Sequence, residues 1–407
     1  MHQYHLWSED PLLRGDVVEL AATLEKTSHE RQRIWFRVPS SLLPIPPGNL
    51  DSFVLAVLFT LMEAPADLEI HGEVSPSLLF NLAEFQKAWA LWLPDKYHSV
   101  EFSAATEREQ PRLEKKEVLM GFSGGVDSAF TAWRHRMNRS EREPWTLSAG
   151  VMVHGFDISI DQPEVFASAA EKSRIMLSSI GMNLMPVSTN LRQLHNKWDD
   201  CHAAALAACL MVFQGRYGAG LIASSYPYNH LIIPWGSNPL TDKLLSSDSF
   251  TVIHDGSAFT RVDKMRQISD WLEAMQYLRV CWEGQRKDRN CCRCQKCVSN
   301  MLTFKALGHD AIPAFPFSIS DRDIRHLKYS DNPSLQSTRR LIKLLKSLNF
   351  RSSSTIKALK ISVIINRIWQ AGWKISLVKK ALKLFESWWF LNPRFVGESK
   401  EQEMSIH

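Results

Sequence analysis

The stretch EVLMGFSGGVDSAFTAWRHRM, residues 117–137, decides how this sequence is interpreted. Its first part, EVLM, is typical of a buried strand, and its last part, AFTAWRHRM, is typical of a helix. Between them, residues 121–128 read GFSGGVDS. The glycines allow a tight turn and a close approach of the backbone to an anion, and amides at a helix N-terminus bind phosphate. The stretch therefore predicts an anion-binding loop between a strand and a helix.

Strand-like and helix-like segments continue to alternate after this loop. In chain order they are TLSAGVMV, PEVFASAAEKSRIMLSSIG, NLMPVST, DCHAAALAACLMVFQGRYG and AGLIASS. The alternation favours an α/β fold, with a parallel sheet and helices on both faces. Ligands of such sheets bind at the carboxyl ends of the strands, where the glycine loop lies. Residues 226–262 then carry many Pro, Gly, Asn and Ser residues, which predicts a long functional loop.

The segment before residue 105 predicts a small, separate α/β unit with strand-like and helix-like stretches. Asp51 or Ser52 is predicted to cap its first helix, DSFVLAVLFTLMEA. Ser75 is predicted to cap the second helix, with Pro76 at the first helical position. The sequence thus predicts an N-terminal α/β domain at 1–105, with docking of a partner or substrate as its candidate role, an α/β domain that carries the glycine loop at 106–310 and a basic helical region at 311–407.

The composition is that of a globular protein, with 407 residues, 45% hydrophobic and 22% charged. No window approaches the roughly 18–20 apolar residues of a membrane span, and the first residues lack a signal-peptide pattern. A cytoplasmic protein without membrane contact is therefore expected.

A basic block lies near the end of the chain. Between Arg339 and Lys383 there are twelve Lys and Arg residues and no Asp or Glu. RRLIKLLKSLNF, STIKALKISVIINRIW and WKISLVKKALKLFESWW each predict an amphipathic helix. Three interpretations remain open: a solvated helix surface, contact with nucleic-acid phosphates, or docking to an acidic partner protein.

Five of the seven cysteines fall within residues 281–297. A C-x9-C-x2-C-x2-C pattern is formed by Cys281, Cys291, Cys294 and Cys297. Four thiolates at this spacing predict a closed, structural Zn²⁺ site, and a redox or coincidental group is the alternative. Cys201 and Cys209 lie in an apolar helix and are predicted to be core residues.

The glycine loop resembles the PP-loop, S-G-G-x-D-S, of the ATP pyrophosphatase superfamily. The match consists of Ser123, Gly124, Gly125, Asp127 and Ser128, with Val126 at the variable position. The resemblance implies an adenine nucleotide alpha hydrolase-like fold in which these six residues bind the pyrophosphate of ATP. It implies catalytic roles for Ser123, Asp127 and Ser128. A Gly-rich turn that only precedes an ordinary helix is the alternative.

Two further features follow from this resemblance. The second strand of the family lies near the adenine, which makes Val153 and His154, with Asp157 beyond them, candidates for nucleotide or substrate contact. The alternative is that His154 and Asp157 are polar residues of a surface loop. Asp127 either holds Mg²⁺ against phosphate oxygens or caps the helix.

The pairing of this loop with four cysteines resembles the 7-cyano-7-deazaguanine synthase (QueC-like) family over about Glu117 to Gly308. Family enzymes adenylate a deazaguanine carboxylate and convert it with ammonia to an amide and then a nitrile. QueC-like proteins with added regions occur in bacterial antiphage systems, including the Qat and type IV CBASS types. That resemblance implies an ATP-dependent ligase that joins a 7-deazaguanine acid to an amine, such as the N-terminus of a partner protein. AMP and pyrophosphate are the other products.

The predicted loop at 226–262 supplies candidates for the pocket of the base or the acceptor, namely Trp235, Asp242, His254, Asp255 and Arg261. Trp235 would stack on a purine-like ring, a carboxylate would accept hydrogen bonds from its amino edge, and Arg261 would steer a carboxylate. These residues would otherwise only hold the loop. Other functions that the sequence leaves open are ammonia-dependent nitrile synthesis, modification of a tRNA base, and ATP binding without catalysis.

Overall fold

A computed structural model describes residues 2–42, 49–112, 117–137, 146–195, 197–281, 283–329 and 332–372. The chain divides into two compact units, one formed by Met1–Cys291 with His309–Pro316 and the other by Cys292–Gly308 with Phe317–His407. No helix within the described ranges combines the length and apolar character needed to cross a bilayer.

The first unit is built on one large, mostly parallel sheet. Its eleven strands in the described ranges are β1 (His2–Ser8), β2 (Leu12–Arg14), β3 (Val17–Glu25), β4 (Arg31–Pro39), β5 (Ala66–Val74), β6 (Phe102–Glu107), β7 (Glu117–Gly121), β8 (Thr146–His154), β9 (Asn183–Thr189), β10 (Ala219–Ala223) and β11 (Thr251–Asp255). Their order is β11-β10-β7-β8-β9-β4-β3-β1-β5-β6, with β2 paired to β3.

The strands β11, β10, β7, β8 and β9 are all parallel to one another. The chain runs from β7 through β8 to β9 on one side and then returns to place β10 and β11 on the other side of β7. This reversal creates a topological switch point between β7 and β10, where parallel sheets bind ligands. The glycine loop follows β7 directly and therefore lies at this point.

The structure differs from the sequence prediction at β11. The segment 226–262 was predicted to be a long loop, but Thr251–Asp255 within it extends the sheet as a parallel neighbour of β10. Five residues without strict alternation give too weak a strand signal when they lie among Ser, Gly and Asp residues. Apart from its last two residues, which begin an α-helix at Arg261, the remainder of the segment has only short turns of 3-10 helix.

The strands of the N-terminal segment continue the same sheet. β4 pairs antiparallel with β9 at Phe36–Thr189 and Arg37–Ser188. Beyond it, β3 is antiparallel to β4 and β1, whereas β5 and β6 are parallel to β1. The α/β class with a mostly parallel sheet is confirmed.

Helices cover both faces of this sheet. In the first unit they are α1 (Asp51–Glu63), α2 (Pro76–Trp92), α3 (Val126–Arg136), α4 (Pro163–Ser179), α5 (Trp198–Met211), α6 (Arg261–Ile268) and α7 (Leu272–Tyr277). α1, α2 and α5 share the largest core with one face, which includes Val151 of β8. The next residue, Met152, points to the opposite face and packs against Phe166 of α4, because side chains alternate along a strand.

The cap predicted for α1 is wrong, whereas the cap position predicted for α2 is confirmed. Leu50, and neither Asp51 nor Ser52, is the N-cap residue of α1, and Ser75 is the N-cap residue of α2, but neither makes a side-chain capping hydrogen bond. The hydroxyl and amide of Ser75 instead donate to Asp51 at 2.7 and 2.8 Å. Burial raises the pKa of Asp51, more than these hydrogen bonds lower it. The two residues that each could cap a helix bind one another in the core. Pro76 does occupy the first position of α2.

The second unit is helical. It contains α8 (Gln295–Ala306), α9 (Asp321–Arg325), α10 (Asn332–Ser347) and α11 (Ser353–Gly372). Its core includes Leu345 of α10 and Leu359 of α11, both fully buried. The first two amphipathic helices predicted in the basic block are therefore confirmed. The third, WKISLVKKALKLFESWW, lies outside the described residues.

Candidate functional site

The glycine loop is a compact turn that holds itself together through its serines. The amide of Gly125 donates to the hydroxyl of Ser123 at 3.3 Å, and the hydroxyl of Ser128 donates to the carbonyl of Gly125 at 3.1 Å. Gly124 has a φ of +73°, a conformation that favours glycine. Ser123 is exposed at the mouth of the turn, whereas Ser128 is buried beneath it. The turn passes directly into α3, which begins at Val126 and has no side-chain cap.

Asp127, in the first turn of α3, is held by two basic residues of α6. Its Oδ2 accepts a hydrogen bond from Arg261, and its Oδ1 lies 3.1 Å from Nζ of Lys264. Burial raises the pKa of Asp127, but the two cations lower it more, and the net shift is downward. Asp127 is therefore an ionised partner of two cations and makes no capping hydrogen bond to its own helix.

Each oxygen of Asp127 faces a basic side chain, so a magnesium ion bound by this carboxylate does not fit the observed arrangement. Oxygen ligands of Mg²⁺ must point at the ion at about 2.0–2.1 Å, where Arg261 and Lys264 now lie against them. The magnesium site stays a prediction.

Lys264 is the most informative residue that sequence reasoning missed. Its side chain is only 2% exposed, although lysines are almost never fully buried unless paired. Besides Asp127, its Nζ donates to the carbonyl of Ser224 at 2.6 Å and to the Ser224 hydroxyl at 3.0 Å. Ser224 follows β10, so Lys264 joins the ends of β10 and β7 across the switch point. A detectable signal was the spacing of Arg261 and Lys264, which places both on one side of a helix.

Arg279 is a second basic residue that the sequence did not reveal. Its amide donates to the carbonyl of Gly124 at 2.7 Å, and its guanidinium donates to the carbonyl of Ser123 at 3.0 Å. The same guanidinium lies 3.6 Å from Asp157, which follows β8. The side chain of Arg279 is only 9% exposed. The predicted candidate Asp157 is thus connected to the glycine loop through Arg279.

Val153 and His154 lie at the end of β8, as predicted. His154 is buried, stacks on Phe166 with ring centroids 4.5 Å apart, and has Nε2 2.9 Å from the carbonyl of Ser159. Burial lowers its pKa, more than this hydrogen bond raises it, so the ring is neutral at pH 7. Val153 is half-buried against the main core. Neither side chain is brought into contact with the glycine loop by a described hydrogen bond.

Asp255 supports the helix that follows the glycine loop. It ends β11 and accepts hydrogen bonds from Thr131 at 2.7 Å, from His135 at 3.0 Å, and from Arg134, all on α3. Burial raises the pKa of Asp255, but His135 and Arg134 lower it more, and the net shift is downward. The carboxylate therefore orients α3 from below, and its described hydrogen bonds are to that helix.

Asp242 and His254 are adjacent in the structure. His254 Nδ1 lies 2.7 Å from Asp242, and its Nε2 lies 2.8 Å from the hydroxyl of Ser257. Asp242 is fully buried and also accepts hydrogen bonds from the Ser237 hydroxyl at 2.7 Å and the Asn238 amide at 3.0 Å. This network fixes the segment before and after β11.

Trp235 joins that network only through its backbone, whose carbonyl accepts a hydrogen bond from the side-chain amide of Asn238 at 2.9 Å. Its ring makes edge contacts with His202 at 5.3 Å and Tyr226 at 5.6 Å between centroids. The indole nitrogen is buried without a hydrogen-bond partner among the described residues. Of the five candidates from this segment, Arg261 alone contacts a residue of the glycine loop through a described hydrogen bond.

The four predicted zinc ligands come together. The sulfur atoms of Cys281, Cys291, Cys294 and Cys297 lie within 4.8 Å of one another, and none of the seven cysteines, all of which are described, forms a disulfide. Tetrahedral Zn–S bonds of about 2.3 Å place neighbouring sulfurs about 3.8 Å apart, so the group fits a zinc ion.

A backbone amide points at one of the four sulfur atoms. The amide of Cys297 donates to the sulfur of Cys294, which is the N-cap of α8, at 3.4 Å. An amide donor at a helix N-terminus stabilises a thiolate. A Cβ on Gly284 would lie 3.3 Å from Cβ of Cys291 and 3.5 Å from the sulfur of Cys281, so a small residue suits this position.

Two of the three remaining cysteines lie far along the chain from this group. Cys201 and Cys209 are buried in the main core, as predicted. Burial raises the pKa of Cys201 to about 12, and it also raises that of Cys209. Neither thiol is suited to act as a nucleophile or a metal ligand at neutral pH.

Comparisons of this chain with known protein families, with curated proteins and with solved structures gave no match. Three features of the chain itself therefore indicate its function: the glycine loop at the switch point, the basic residues around this loop, and the four-cysteine group.

Proposed function

We propose that this protein is an ATP-dependent ligase that adenylates a carboxylic acid and transfers the acyl group to an amine. The observation that carries the proposal is the location of the sequence SGGVDS, between β7 and α3 at the switch point of a parallel sheet. Loops at this position commonly bind nucleotide phosphates, because backbone amides and a helix N-terminus point towards the ligand.

The charges around the loop support an anionic ligand. Lys264, Arg261 and Arg279 bring three positive charges to its surroundings, against the carboxylates of Asp127 and Asp157. Lys264 and Asp127 are held beneath the turn. Arg261 is 36% exposed and therefore has access to a bound triphosphate. Preorganised donors of this kind stabilise charge that develops on a departing pyrophosphate.

The proposed reaction has two steps. A carboxylate oxygen of the acid attacks the α-phosphorus of ATP, and pyrophosphate leaves. The amine nitrogen then attacks the acyl carbon, the bond to AMP breaks, and an amide forms. Activation is needed because hydroxide is a poor leaving group from a carboxylate. The first-turn amides of α3 and the Ser123 hydroxyl would bind the pyrophosphate, while Arg279 fixes the backbone of the turn.

The substrate class rests on the resemblance of this loop and the cysteine group to QueC-like enzymes, which use a 7-deazaguanine acid. The amine would be ammonia or the N-terminus of a partner protein. The four cysteines would hold a structural zinc ion. Their four sulfur atoms would complete its coordination sphere and leave no open position for catalysis. Its role in the proposal is to stabilise residues 281–297.

Pyrophosphate release tests the proposal. We expect release from ATP when a 7-deazaguanine carboxylic acid is present, and loss of release in Ser123→Ala. Ser103→Ala, at an exposed position of β6, serves as the matched control. Release that depends on tRNA would favour a tRNA-modifying enzyme, and ATP binding without release under either condition would favour a non-catalytic module. Failure of the protein to bind ATP would refute the proposal.

A mass measurement identifies the acceptor. Co-expression with the protein encoded beside it, followed by mass spectrometry of that protein, would reveal an added deazaguanine if its N-terminus is the amine. An amide or nitrile of the free base would instead indicate ammonia as the acceptor.

A further inference from the structure

Three potential metal ligands lie close together on strands β1 and β5, which precede the glycine loop in the chain. His5 Nδ1 lies 3.0 Å from His71 Nε2 and 3.3 Å from Glu69 Oε2, and His71 Nε2 lies 3.9 Å from Glu69 Oε1. All three side chains are partly exposed, at 32%, 41% and 23% for His5, Glu69 and His71. An ion in solution can therefore reach the group.

The strand register explains why these side chains converge. β1 and β5 are parallel neighbours, with His5 opposite Glu69 and Trp7 opposite His71. Residues two apart on a strand share a face, so Glu69 and His71 point to the same side as His5. The alternate residues Leu6, Leu68 and Ile70 are buried in the main core on the other face. The group thus occupies the polar side of the sheet.

The spacing of the ligand atoms matches a metal site. Zinc bonds to nitrogen and carboxylate oxygen are about 2.0–2.2 Å long, which places neighbouring ligand atoms of a tetrahedron about 3.3–3.6 Å apart. His5 Nδ1 lies 3.0 Å from His71 Nε2 and 3.3 Å from Glu69 Oε2, close to this range, and one ligand atom from each of the three residues lies within 4.8 Å of the others. An ion can therefore be bound by small side-chain adjustments, without any change in the strands.

Neighbouring side chains orient two of the three ligands. The amide of Gln3 donates to Oε2 of Glu69 at 3.0 Å. The indole of Trp7 stacks on the His71 ring, with centroids 3.5 Å apart and planes within 1° of parallel. Outer contacts that fix ligand orientation are a usual part of protein metal sites.

We propose that His5, Glu69 and His71 form a second metal site, which binds a divalent first-row transition ion such as Zn²⁺. Two imidazoles and one carboxylate suit Zn²⁺, Ni²⁺, Co²⁺ and Cu²⁺ better than Mg²⁺ or Ca²⁺, which prefer oxygen ligands. Three protein ligands leave a coordination position open to water or to an exogenous group, unlike the four-cysteine site. The proposal is independent of the proposed ligase activity.

Counting bound zinc tests this proposal. Full-length protein would be equilibrated with Zn²⁺ by dialysis, and the metal content measured by mass spectrometry of the elements. We expect two equivalents for the unaltered protein and one for His71→Ala, because the thiolate site is retained. His29→Ala is the matched control, since His29 lies 3.2 Å from Glu25 in an exposed pair outside the metal-ligand group. It should retain two equivalents.

Affinity then distinguishes ligands from their supporting contacts. In titration calorimetry of protein with the cysteine site already filled, His5→Ala should weaken Zn²⁺ binding by at least about 100-fold, and Gln3→Ala by only about tenfold, the lower end for outer-shell partners. Circular dichroism establishes that each variant is folded. One zinc equivalent in the unaltered protein, or equal zinc content in His71→Ala, would overturn the proposal and leave a hydrogen-bonded cluster.

Discussion

Replacement of Lys264 by methionine tests how the glycine loop is joined to its sheet. The change keeps most of the side-chain volume and removes the charge. Nζ of Lys264 is 3.1 Å from Asp127, 2.6 Å from the Ser224 carbonyl and 3.0 Å from the Ser224 hydroxyl, at 2% exposure. Lys264→Met therefore leaves a carboxylate and a carbonyl beneath the loop without this donor.

The size of the effect follows from these contacts. Removal of one partner of a buried ion pair costs about 3–5 kcal/mol of folding free energy. We expect the lower end, about 3 kcal/mol at pH 7, because Arg261 remains beside Asp127 and the Asp127 side chain is 23% exposed. Lys26→Met is the control, because Lys26 pairs with the 62% exposed Glu30 and such surface pairs contribute about 0–1 kcal/mol.

The destabilisation caused by Lys264→Met should also depend on pH. Loss of Lys264 leaves the partly buried Asp127 beside one cation, so the pKa of Asp127 should rise. A carboxyl with a depressed folded-state pKa stabilises the fold above its unfolded-state pKa of about 3.9, and this contribution disappears as the pH falls through the folded-state value. The penalty of Lys264→Met should therefore be larger at pH 7 than at pH 3.5.

Urea unfolding, monitored by tryptophan fluorescence, measures the destabilisation at pH 7 and its change with pH. Addition of Asp127→Asn to Lys264→Met should cost about 1–3 kcal/mol less than the sum of the single changes, because the two side chains are in contact. A penalty for Lys264→Met below about 1 kcal/mol at pH 7, or strict additivity with Asp127→Asn, would refute the ion pair as the link across the switch point.

Three further predictions concern other parts of the molecule. Cys297→Ser should lower the zinc content of the four-cysteine site from one equivalent to near zero, as measured by elemental mass spectrometry; retention of a full equivalent there would contradict its role as a ligand. Asp255→Asn should destabilise the protein by about 3 kcal/mol at pH 7, because it leaves Arg134 of α3 without its buried carboxylate partner, and urea midpoints should show that the stability difference between the two proteins narrows below about pH 4 as the native carboxylate is protonated. Gly155→Ala should cost more than about 3 kcal/mol, because its φ is +106° and the new Cβ would lie 2.0 Å from the carbonyl oxygen of Thr189. Gly256→Ala is the control, because Gly256 has a φ of +91° but a new Cβ there would lie no nearer than 3.4 Å to another atom, and it should cost only about 1–2 kcal/mol in thermal unfolding. Equal destabilisation by Gly155→Ala and Gly256→Ala would show that the Thr189 carbonyl does not contribute.

The basic block illustrates what a local pattern can and cannot predict. Amphipathic periodicity predicted helices that the structure contains as α10 and α11, because a repeating apolar stripe has one favourable conformation when it packs. The same pattern does not identify the partner of the exposed basic residues. Solvation, nucleic acid and an acidic protein all satisfy the charges of a Lys-rich helix.

Local sequence determined the α/β alternation, the position of the glycine turn and the grouping of the four cysteines. Each of these depends on residues that are close along the chain, where periodicity, glycine conformation and ligand spacing act directly. The sequence did not predict β11, because this strand of five residues forms through its pairing with the neighbouring strand β10.

Only the tertiary structure decided which charges meet. Asp127 and Lys264 are 137 residues apart, and His5 and His71 are 66 apart, so no spacing along the chain predicts either contact. The first pair forms because α6 packs on α3, and the second because β1 and β5 are neighbours in one register. The nearby cations then lower the pKa of Asp127 against the effect of burial, and both influences are properties of the folded chain.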